Sequence, residues 1–240
     1  MTPLVLVHGF MGGSAQWEPQ QSGLSDDIEL IAIDLPGFGK NNHLEAINTI
    51  GGFADWVISE LSNRNVDRYH LLGHSMGGMI AQEIALRDRD RVDHLVLYAT
   101  GAEGVLPGRF ETIEESKTRA RVDGTNATAR RIAATWFLHK ENTPAYESCA
   151  AIAEQSATDA ITAGLDAMQT WSGTHNLSDI RPKTLVIWGD NDRTYKWQQI
   201  QLLWDSISLV NLAVVPECAH AVHLEKPLIF NRLILDFLNQ

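Results

Sequence analysis

The sequence predicts an α/β protein with a mostly parallel β-sheet that is flanked by helices and carries a helical insertion between two of its strands. Short runs of Val, Ile and Leu recur along the chain, and most are continuous rather than alternating, as in strands buried on both faces. Segments with apolar residues three and four positions apart separate these runs, as in helices that connect parallel strands. One long stretch, from residue 101 to about residue 178, is helical in pattern and interrupts the alternation.

Six apolar runs are the predicted strands. They cover residues 4–7, 30–33, 69–72, 94–98, 185–188 and 209–215. Three segments show the clearest helical spacing of apolar residues, namely 50–61, 79–86 and 228–238. Because strands and helices alternate, the connections should be crossovers and the strands should run parallel.

The long helical stretch is predicted to be an insertion into the sheet domain. It opens with turn-forming residues, namely Gly101, Gly104, Pro107 and Gly108. We predict a core domain made of residues 1–101 and 179–240, with residues 102–178 inserted as a helical cap, or lid. A separate helical domain is the alternative, but the strand pattern resumes after the insertion, and the final strand needs the earlier ones as partners.

Composition and charge narrow the function classes. The 240 residues include 19 basic and 30 acidic side chains, which gives a formal charge of −11 at pH 7. This acidic balance argues against nucleic acid as a partner, because a polyanion is bound by clustered Lys and Arg. No window reaches the roughly 20 apolar residues that a membrane span needs. We therefore expect a small-molecule ligand and neither a nucleic-acid nor a membrane partner, and the oligomeric state stays open.

Cysteine usage and the N-terminus indicate the compartment. Cys149 and Cys218 are the two cysteines, too few for a disulfide framework, and neither has a second thiol at the spacing of a thiolate metal site. The apolar run at residues 4–7 is too short for a signal peptide and has no basic region before it. The expected localisation is cytoplasmic.

The segment around Ser75 has the pattern of a nucleophile elbow. A predicted strand runs into Gly73-His74-Ser75-Met76-Gly77-Gly78, and a predicted helix follows. A serine on such a turn has a strained backbone, and the flanking glycines let the chain pass without Cβ clashes. The turn raises the hydroxyl above the sheet edge and places it at a helix N-terminus. Ser75 is the predicted nucleophile; a glycine-rich turn that only aids helix packing is the alternative.

An acid and a base are expected downstream, in that order, because an elbow serine needs an oriented base to accept its proton. Asp192 follows the strand at 185–188, and Asp190 is its rival, although Asp190 could instead bond within its own turn. His220 follows the strand at 209–215, and His223 is the competing base. We favour Asp192 and His220, since both fall at the carboxyl edge of the sheet, where α/β proteins hold their sites.

The loop after the first strand is the predicted oxyanion hole. It reads His8-Gly9-Phe10-Met11-Gly12-Gly13. A tetrahedral oxyanion needs two aligned N–H donors, each worth about 3 to 4 kcal/mol of barrier. We assign them to the backbone N–H groups of Phe10 and Met76. A nucleotide loop is excluded, since neither the glycine spacing nor a Walker lysine follows.

Taken together, these motifs resemble the α/β-hydrolase superfamily over nearly the whole chain. The resemblance rests on His8-Gly9-Phe10, Asp34-Leu35-Pro36-Gly37-Phe38-Gly39, the elbow at Ser75, Trp188-Gly189-Asp190-Asn191-Asp192, and Ala219-His220 followed by Glu225-Lys226-Pro227. It implies a catalytic triad of Ser75, Asp192 and His220, no cofactor or metal, and a helical cap over the pocket.

Two departures from the family pattern affect the prediction. Family members usually begin with an antiparallel hairpin, which this chain lacks, so the sheet should be about two strands shorter. The nucleophile is a serine, which disfavours the dehalogenases and epoxide hydrolases that use aspartate.

The segment from Asp192 to Lys196 is similar to that of the menaquinone-pathway synthases, but Met79 stands where those enzymes carry an arginine.

The predicted function is hydrolysis of a carboxylic ester through an acyl-enzyme. We expect a small acyl or aromatic ester, because the side chains predicted to line the pocket are apolar, namely Trp136, Phe137, Met168 and Trp171. These four could instead be the core of the cap itself. The enzymatic alternatives are an enol-lactonase, a C–C bond hydrolase or a menaquinone-pathway-like synthase, and the non-enzymatic alternative is a ligand receptor on the same fold.

Overall fold

A computed structural model describes residues 2–106 and 111–240. Its sheet has six strands: β1 (Leu4–Val7), β2 (Leu30–Ile33), β3 (Tyr69–His74), β4 (Val92–Tyr98), β5 (Lys183–Gly189) and β6 (Val210–Val215). They lie in the order β2-β1-β3-β4-β5-β6, and every neighbouring pair is parallel. The predicted parallel sheet and all six predicted strands are confirmed.

The strand order places a topological switch point between β1 and β3. The chain leaves β1 toward β2 on one side and then returns to add β3 on the other side. The connections therefore diverge at the carboxyl ends of β1 and β3, which leaves a crevice there. Every residue of β1 and β3 is buried, so this central pair forms a rigid base for that crevice.

Nine α-helices are assigned among the described residues: α1 (Glu18–Leu24), α2 (Ile50–Asn63), α3 (Met76–Arg87), α4 (Ile113–Thr135), α5 (Tyr146–Ala153), α6 (Thr158–Gln169), α7 (Trp197–Ser206), α8 (Val222–Glu225) and α9 (Pro227–Leu238). The helices predicted at 50–61, 79–86 and 228–238 correspond to α2, α3 and α9. Helix α3 begins three residues before the predicted start, because Gly77 and Gly78 lie in its first turn and interrupt the apolar pattern.

Helices α4, α5 and α6 form the helical insertion between β4 and β5, as predicted. An isolated antiparallel bridge between Glu103 and Ser172 joins the two ends of the insertion. Around this bridge, the Gly104 N–H donates to the Trp171 carbonyl at 3.2 Å. The predicted turn residues Pro107 and Gly108 lie outside the described residues.

Helix α4 bends at Gly124, which has φ 80° and ψ 171° inside the helix. A left-handed φ costs glycine little, so the bend falls at the one position of the helix that tolerates it best. No described helix combines the length and the apolar character that crossing a membrane requires.

Candidate active site

Ser75 lies on a strained turn between β3 and α3. Its φ of 57° and ψ of −119° are unusual for a residue with a side chain, a conformation that costs roughly 1 to 3 kcal/mol. A Cβ atom on Gly73 would collide with the Gly77 carbonyl, and a Cβ atom on Gly77 would collide with the Val7 carbonyl. The two glycines are therefore required by the close approach of β1, β3 and α3, as the sequence pattern predicts.

Asp192 and His220 meet across the loops that follow β5 and β6. The distance from His220 Nδ1 to Asp192 Oδ2 is 2.8 Å, and both side chains are buried. Asp192 Oδ1 accepts hydrogen bonds from the backbone N–H groups of Thr194 at 2.7 Å and Tyr195 at 3.2 Å. One carboxylate oxygen is thus fixed by the backbone, which leaves the other directed at the imidazole.

The rival acid, Asp190, has a different role. Asp190 is exposed. Its Oδ1 accepts hydrogen bonds from the Asn191 side chain at 2.7 Å and from the Cys218 N–H at 3.4 Å. Asp190 therefore stabilises the two loops that carry Asp192 and His220, as expected for an aspartate that bonds locally.

The His220 backbone and ring are held by three aromatic residues. The His220 carbonyl accepts from the Tyr98 hydroxyl at 2.9 Å, and His74 Nε2 lies 3.2 Å from the same oxygen. The Tyr195 ring stacks on the imidazole with centroids 5.8 Å apart and planes 13° apart. These positioning roles are not evident from the sequence, although His74 stands next to Ser75 in the elbow motif.

The competing base, His223, is buried, and its ring bonds to Tyr98 rather than to Asp192. Its Nδ1 lies 3.0 Å from the Tyr98 hydroxyl, and its ring packs against Trp17 at 4.6 Å. Burial, followed by the nearby His220, lowers the pKa of His223 to about 3. His223 is therefore a neutral core residue at neutral pH, and His220 is the histidine that the structure brings to the acid.

The neutral state of buried His223 predicts a loss of stability in acid. An unfolded histidine takes up a proton near pH 6.5, whereas folded His223 resists protonation down to about pH 3, so acid favours the unfolded chain. From this residue alone, the free energy of unfolding should fall by about 2 kcal/mol between pH 7 and pH 5. Urea unfolding at both pH values should show a smaller fall for His223→Gln than for the wild type. An equal fall in both proteins would contradict the prediction.

Hydrogen bonds hold the loop after β1, where the oxyanion hole is predicted, in a fixed orientation. His8 Nδ1 lies 2.8 Å from the Gly9 carbonyl oxygen, and the Gly12 N–H donates to the same oxygen at 3.0 Å. His8 Nε2 accepts from the Leu35 N–H at 3.0 Å, which fixes the ring, and burial lowers its pKa so that it stays neutral. With the Gly9 carbonyl held in this way, the trans peptide directs the Phe10 N–H to the opposite side.

Phe10 and Ser75 line one cavity between the sheet edge and the insertion. The empty space is about 570 Å³, including its open mouth. The other lining residues are Gly9, Gln16, His74, Gly104, Leu106, Ile132, Thr135, Trp136, Met168, Thr194, Tyr195 and His220. Ser75, His220 and the Phe10 loop therefore face the same space. Met76 follows Ser75 as the first residue of α3, and its side chain is fully buried.

Of the four side chains predicted to line the pocket, Trp136 and Met168 do so and the other two do not. Phe137 is fully buried, and its carbonyl accepts from Arg193 at 2.7 Å, so it belongs to the core of the insertion. Trp171 turns toward α3, where its Nε1 donates to Glu83 Oε1 at 2.8 Å. Phe137 and Trp171 lie just beyond the ends of α4 and α6, where helical spacing no longer predicts the direction of a side chain.

Other lining residues, among them Ile132, Thr135 and Gln16, were not predicted from the sequence. Ile132 and Thr135 are three positions apart, and Ile132 is four positions before the predicted Trp136, so the three form the cavity-facing side at the end of α4. That spacing could have predicted the cavity-facing side from the sequence. No such pattern predicts Gln16, because it is a polar residue in a short 3-10 helix, yet it is only 4% exposed and lines the cavity.

Hydrogen bonds join the insertion to the loops that carry Asp192 and His220. The Ala221 N–H donates to the Trp136 carbonyl at 2.9 Å. Glu225 accepts from the N–H groups of Leu138 and Ala219, both at 2.7 Å. The end of α4 and the loop that carries His220 are therefore fixed relative to each other.

Comparisons with known proteins agree with the fold described above. A family model described as alpha/beta hydrolase fold matches residues 2–227. The chain is 28% identical over 242 residues to the "Putative carbamate hydrolase RutD" of Pseudomonas savastanoi pv. phaseolicola, with 98% of this chain and 93% of that protein covered. It is 25% identical over 261 residues to the 2-hydroxy-6-oxo-6-phenylhexa-2,4-dienoate hydrolase of Comamonas testosteroni, with 99% and 87% covered.

A solved structure shares the fold at lower sequence identity. The enol-lactonase from Burkholderia xenovorans LB400 matches with a TM-score of 0.91 and 21% identity, covering 100% of this chain and 92% of that chain. At this identity, the match reports on the fold alone.

Proposed function

The chain belongs to the alpha/beta hydrolase fold family and is a hydrolase of that fold, and we propose that it cleaves a carboxylic ester with a triad of Ser75, His220 and Asp192. One observation carries the proposal. His220 Nδ1 lies 2.8 Å from the buried Asp192 carboxylate, and the same histidine shares a cavity with a serine held on a strained elbow. Nucleophile, base and orienting acid are the three parts that acyl transfer by a serine requires.

In the first half of the proposed reaction, His220 accepts the Ser75 proton while Ser75 Oγ attacks the ester carbonyl carbon. Asp192 keeps the proton on His220 Nδ1, so that Nε2 is free to act as the base. The N–H groups of Phe10 and Met76 stabilise the oxyanion. The C–O bond to the alcohol then breaks, and the alcohol leaves with the proton from His220.

In the second half, water attacks the acyl-enzyme. His220 accepts a proton from the water, and the same two N–H groups stabilise the second oxyanion. Collapse of this intermediate releases the carboxylic acid and returns the proton to Ser75 Oγ. The cycle uses only side chains and backbone groups of this chain.

The cavity supports a small acyl or aromatic ester as the substrate. The cavity itself has a volume of about 40 Å³, which suits a small acyl or aromatic group. Phe10, Ile132, Trp136 and Met168 supply apolar walls, so apolar parts of a substrate gain from burial.

A carbamate is the second candidate substrate, since a relative that matches nearly the whole chain is named a carbamate hydrolase. A carbamate presents the same kind of acyl carbon to the serine as an ester does. Lactones and vinylogous diketones would use the same triad and remain alternatives. For a menaquinone-pathway-like synthase, the position after the two elbow glycines is occupied by Met79, a fully buried and uncharged residue.

A substrate panel tests the proposal. Purified protein is assayed at one concentration with p-nitrophenyl acetate and butyrate, an aryl carbamate, a γ-lactone and a vinylogous diketone, with Ser75→Ala as the blank. We expect the highest kcat/KM for an ester. A higher value for the carbamate, the lactone or the diketone would replace the ester in the proposal. Tight retention of an ester without turnover would favour a ligand receptor.

A further inference from the structure

Three potential metal ligands lie together at the end of the sheet opposite Ser75. His70 stands near the start of β3, and Asp93 and His94 stand near the start of the adjacent strand β4. Ser75 follows His70 by five residues along β3, a separation of about 16 Å at the rise of a β-strand. Among the described residues, this is the one group of three side chains close enough together to hold a metal ion.

The distances within this cluster, His70, Asp93 and His94, leave a gap that hydrogen bonding does not explain. Asp93 Oδ2 lies 3.8 Å from His70 Nδ1 and 3.9 Å from His94 Nδ1. Hydrogen bonds between such atoms are about 2.7 to 3.2 Å long. Both Nδ1 atoms are buried and lack a hydrogen-bond partner. Buried polar atoms without a partner are costly, so a group that satisfies both would stabilise the fold.

The size of the gap suits a metal ion. The three ligand atoms all lie within 4.8 Å of one another. Around tetrahedral zinc, with bonds of about 2.0 to 2.2 Å, ligand atoms are roughly 3.4 Å apart. The two distances from Asp93 Oδ2 would need to shorten by about half an ångström, and the distance between the two histidine nitrogens by at most about 1.4 Å, which rotations of two imidazoles and a carboxylate can supply.

The surrounding charges shape the expected affinity. Arg68 Nη2 donates to Asp93 Oδ1 at 2.6 Å, which orients the carboxylate and leaves Oδ2 facing the histidines. The same guanidinium repels a dication. Lys183 also acts on His94 electrostatically, although its Nζ donates to Gln240 Oε1 at 2.9 Å. Two imidazoles and one carboxylate favour zinc or a similar ion over calcium or magnesium, which prefer oxygen ligands.

We propose that His70, Asp93 and His94 form a binding site for a divalent transition-metal ion, with Zn²⁺ as the favoured ion. The bound ion joins β3 to β4 at their first residues, and solvent completes its coordination, because Asp93 and His94 are half-buried. The role is structural, since the site lies at the far end of β3 from the nucleophile. The proposal is independent of the reaction at Ser75.

Zn²⁺ titration of the purified, metal-stripped chain tests the site. Isothermal titration calorimetry compares the wild type with His94→Gln and Asp93→Asn, and His43→Gln serves as the matched control because His43 is an exposed histidine outside the cluster. We expect the wild type and His43→Gln to bind one equivalent of Zn²⁺ that the two cluster variants do not bind. If the cluster variants still bind this equivalent, we expect their affinity for it to be at least about tenfold lower. Zn²⁺ should raise the melting temperature of the wild type more than that of the variants.

Two further measurements keep the test decisive. Arg68→Ala should tighten Zn²⁺ binding, because it removes a cation that bonds to the same carboxylate. Hydrolysis of p-nitrophenyl butyrate by the cluster variants should match the wild type, which separates this site from the one at Ser75. If a variant fails to fold by circular dichroism, His70→Gln replaces it. Identical Zn²⁺ isotherms for the wild type and the folded cluster variants would overturn the proposal.

Discussion

Ser75→Ala is expected to reduce ester hydrolysis by roughly 10⁶-fold while the protein stays folded. The substitution removes the only atom that forms the acyl-enzyme, and neither His220 nor the N–H groups of Phe10 and Met76 can replace it. The loss of rate should be as large as that caused by removing all three side chains of the triad, because the three act as a unit. Alanine keeps the Cβ atom at φ 57°, so the strain of the elbow and the stability should change little.

The measurement is the initial rate of p-nitrophenyl butyrate hydrolysis, with circular dichroism and the melting temperature as checks on folding. Ser148→Ala is the matched control, because Ser148 is an exposed serine in α5 whose hydroxyl bonds only to the Ala145 carbonyl. The control should retain the wild-type rate. A folded Ser75→Ala protein with a rate near that of the wild type would refute the proposed nucleophile, whatever the substrate.

Asp192→Asn is expected to lower kcat by about 10⁴-fold and to leave KM within a few-fold. The amide is nearly isosteric with the carboxylate, so the N–H groups of Thr194 and Tyr195 can still bond to its oxygen. Its NH₂ group, however, then faces His220 Nδ1 at the position where Oδ2 accepts a hydrogen bond, with 2.8 Å between the two atoms. The imidazole must take the other tautomer, and Nε2 loses the lone pair that accepts the serine proton.

Asp190→Asn is the matched control for this second prediction. Asp190 stands two residues earlier, in the same loop, and bonds to Asn191 and Cys218 rather than to His220. Its substitution should cost stability and only a few-fold in kcat, since it affects the base through loop position alone. If Asp190→Asn lost more activity than Asp192→Asn, the assignment of the acid would be reversed.

Much of the fold could be predicted from local patterns. Strands buried on both faces leave continuous apolar runs, and all six runs are strands of the sheet. The elbow could be predicted because its motif is contiguous in the sequence, and the close approach of β1, β3 and α3 leaves room only for glycine at positions 73 and 77. The order of nucleophile, acid and base along the chain then pointed to Asp192 and His220, which the structure places 2.8 Å apart.

The sequence by itself determined which residues could do chemistry and at which strand ends they lie, because a motif such as the elbow encodes its own geometry. Tertiary structure alone decided which faces of the insertion meet the sheet, placing Trp136 and Met168 in the cavity and turning Phe137 and Trp171 away. It also brought His70 toward Asp93 and His94 from separate strands. The physical reason is the separation of the contacting residues along the chain. Periodicity reports on neighbours within one helix or strand, whereas these contacts depend on the packing of segments far apart in the sequence.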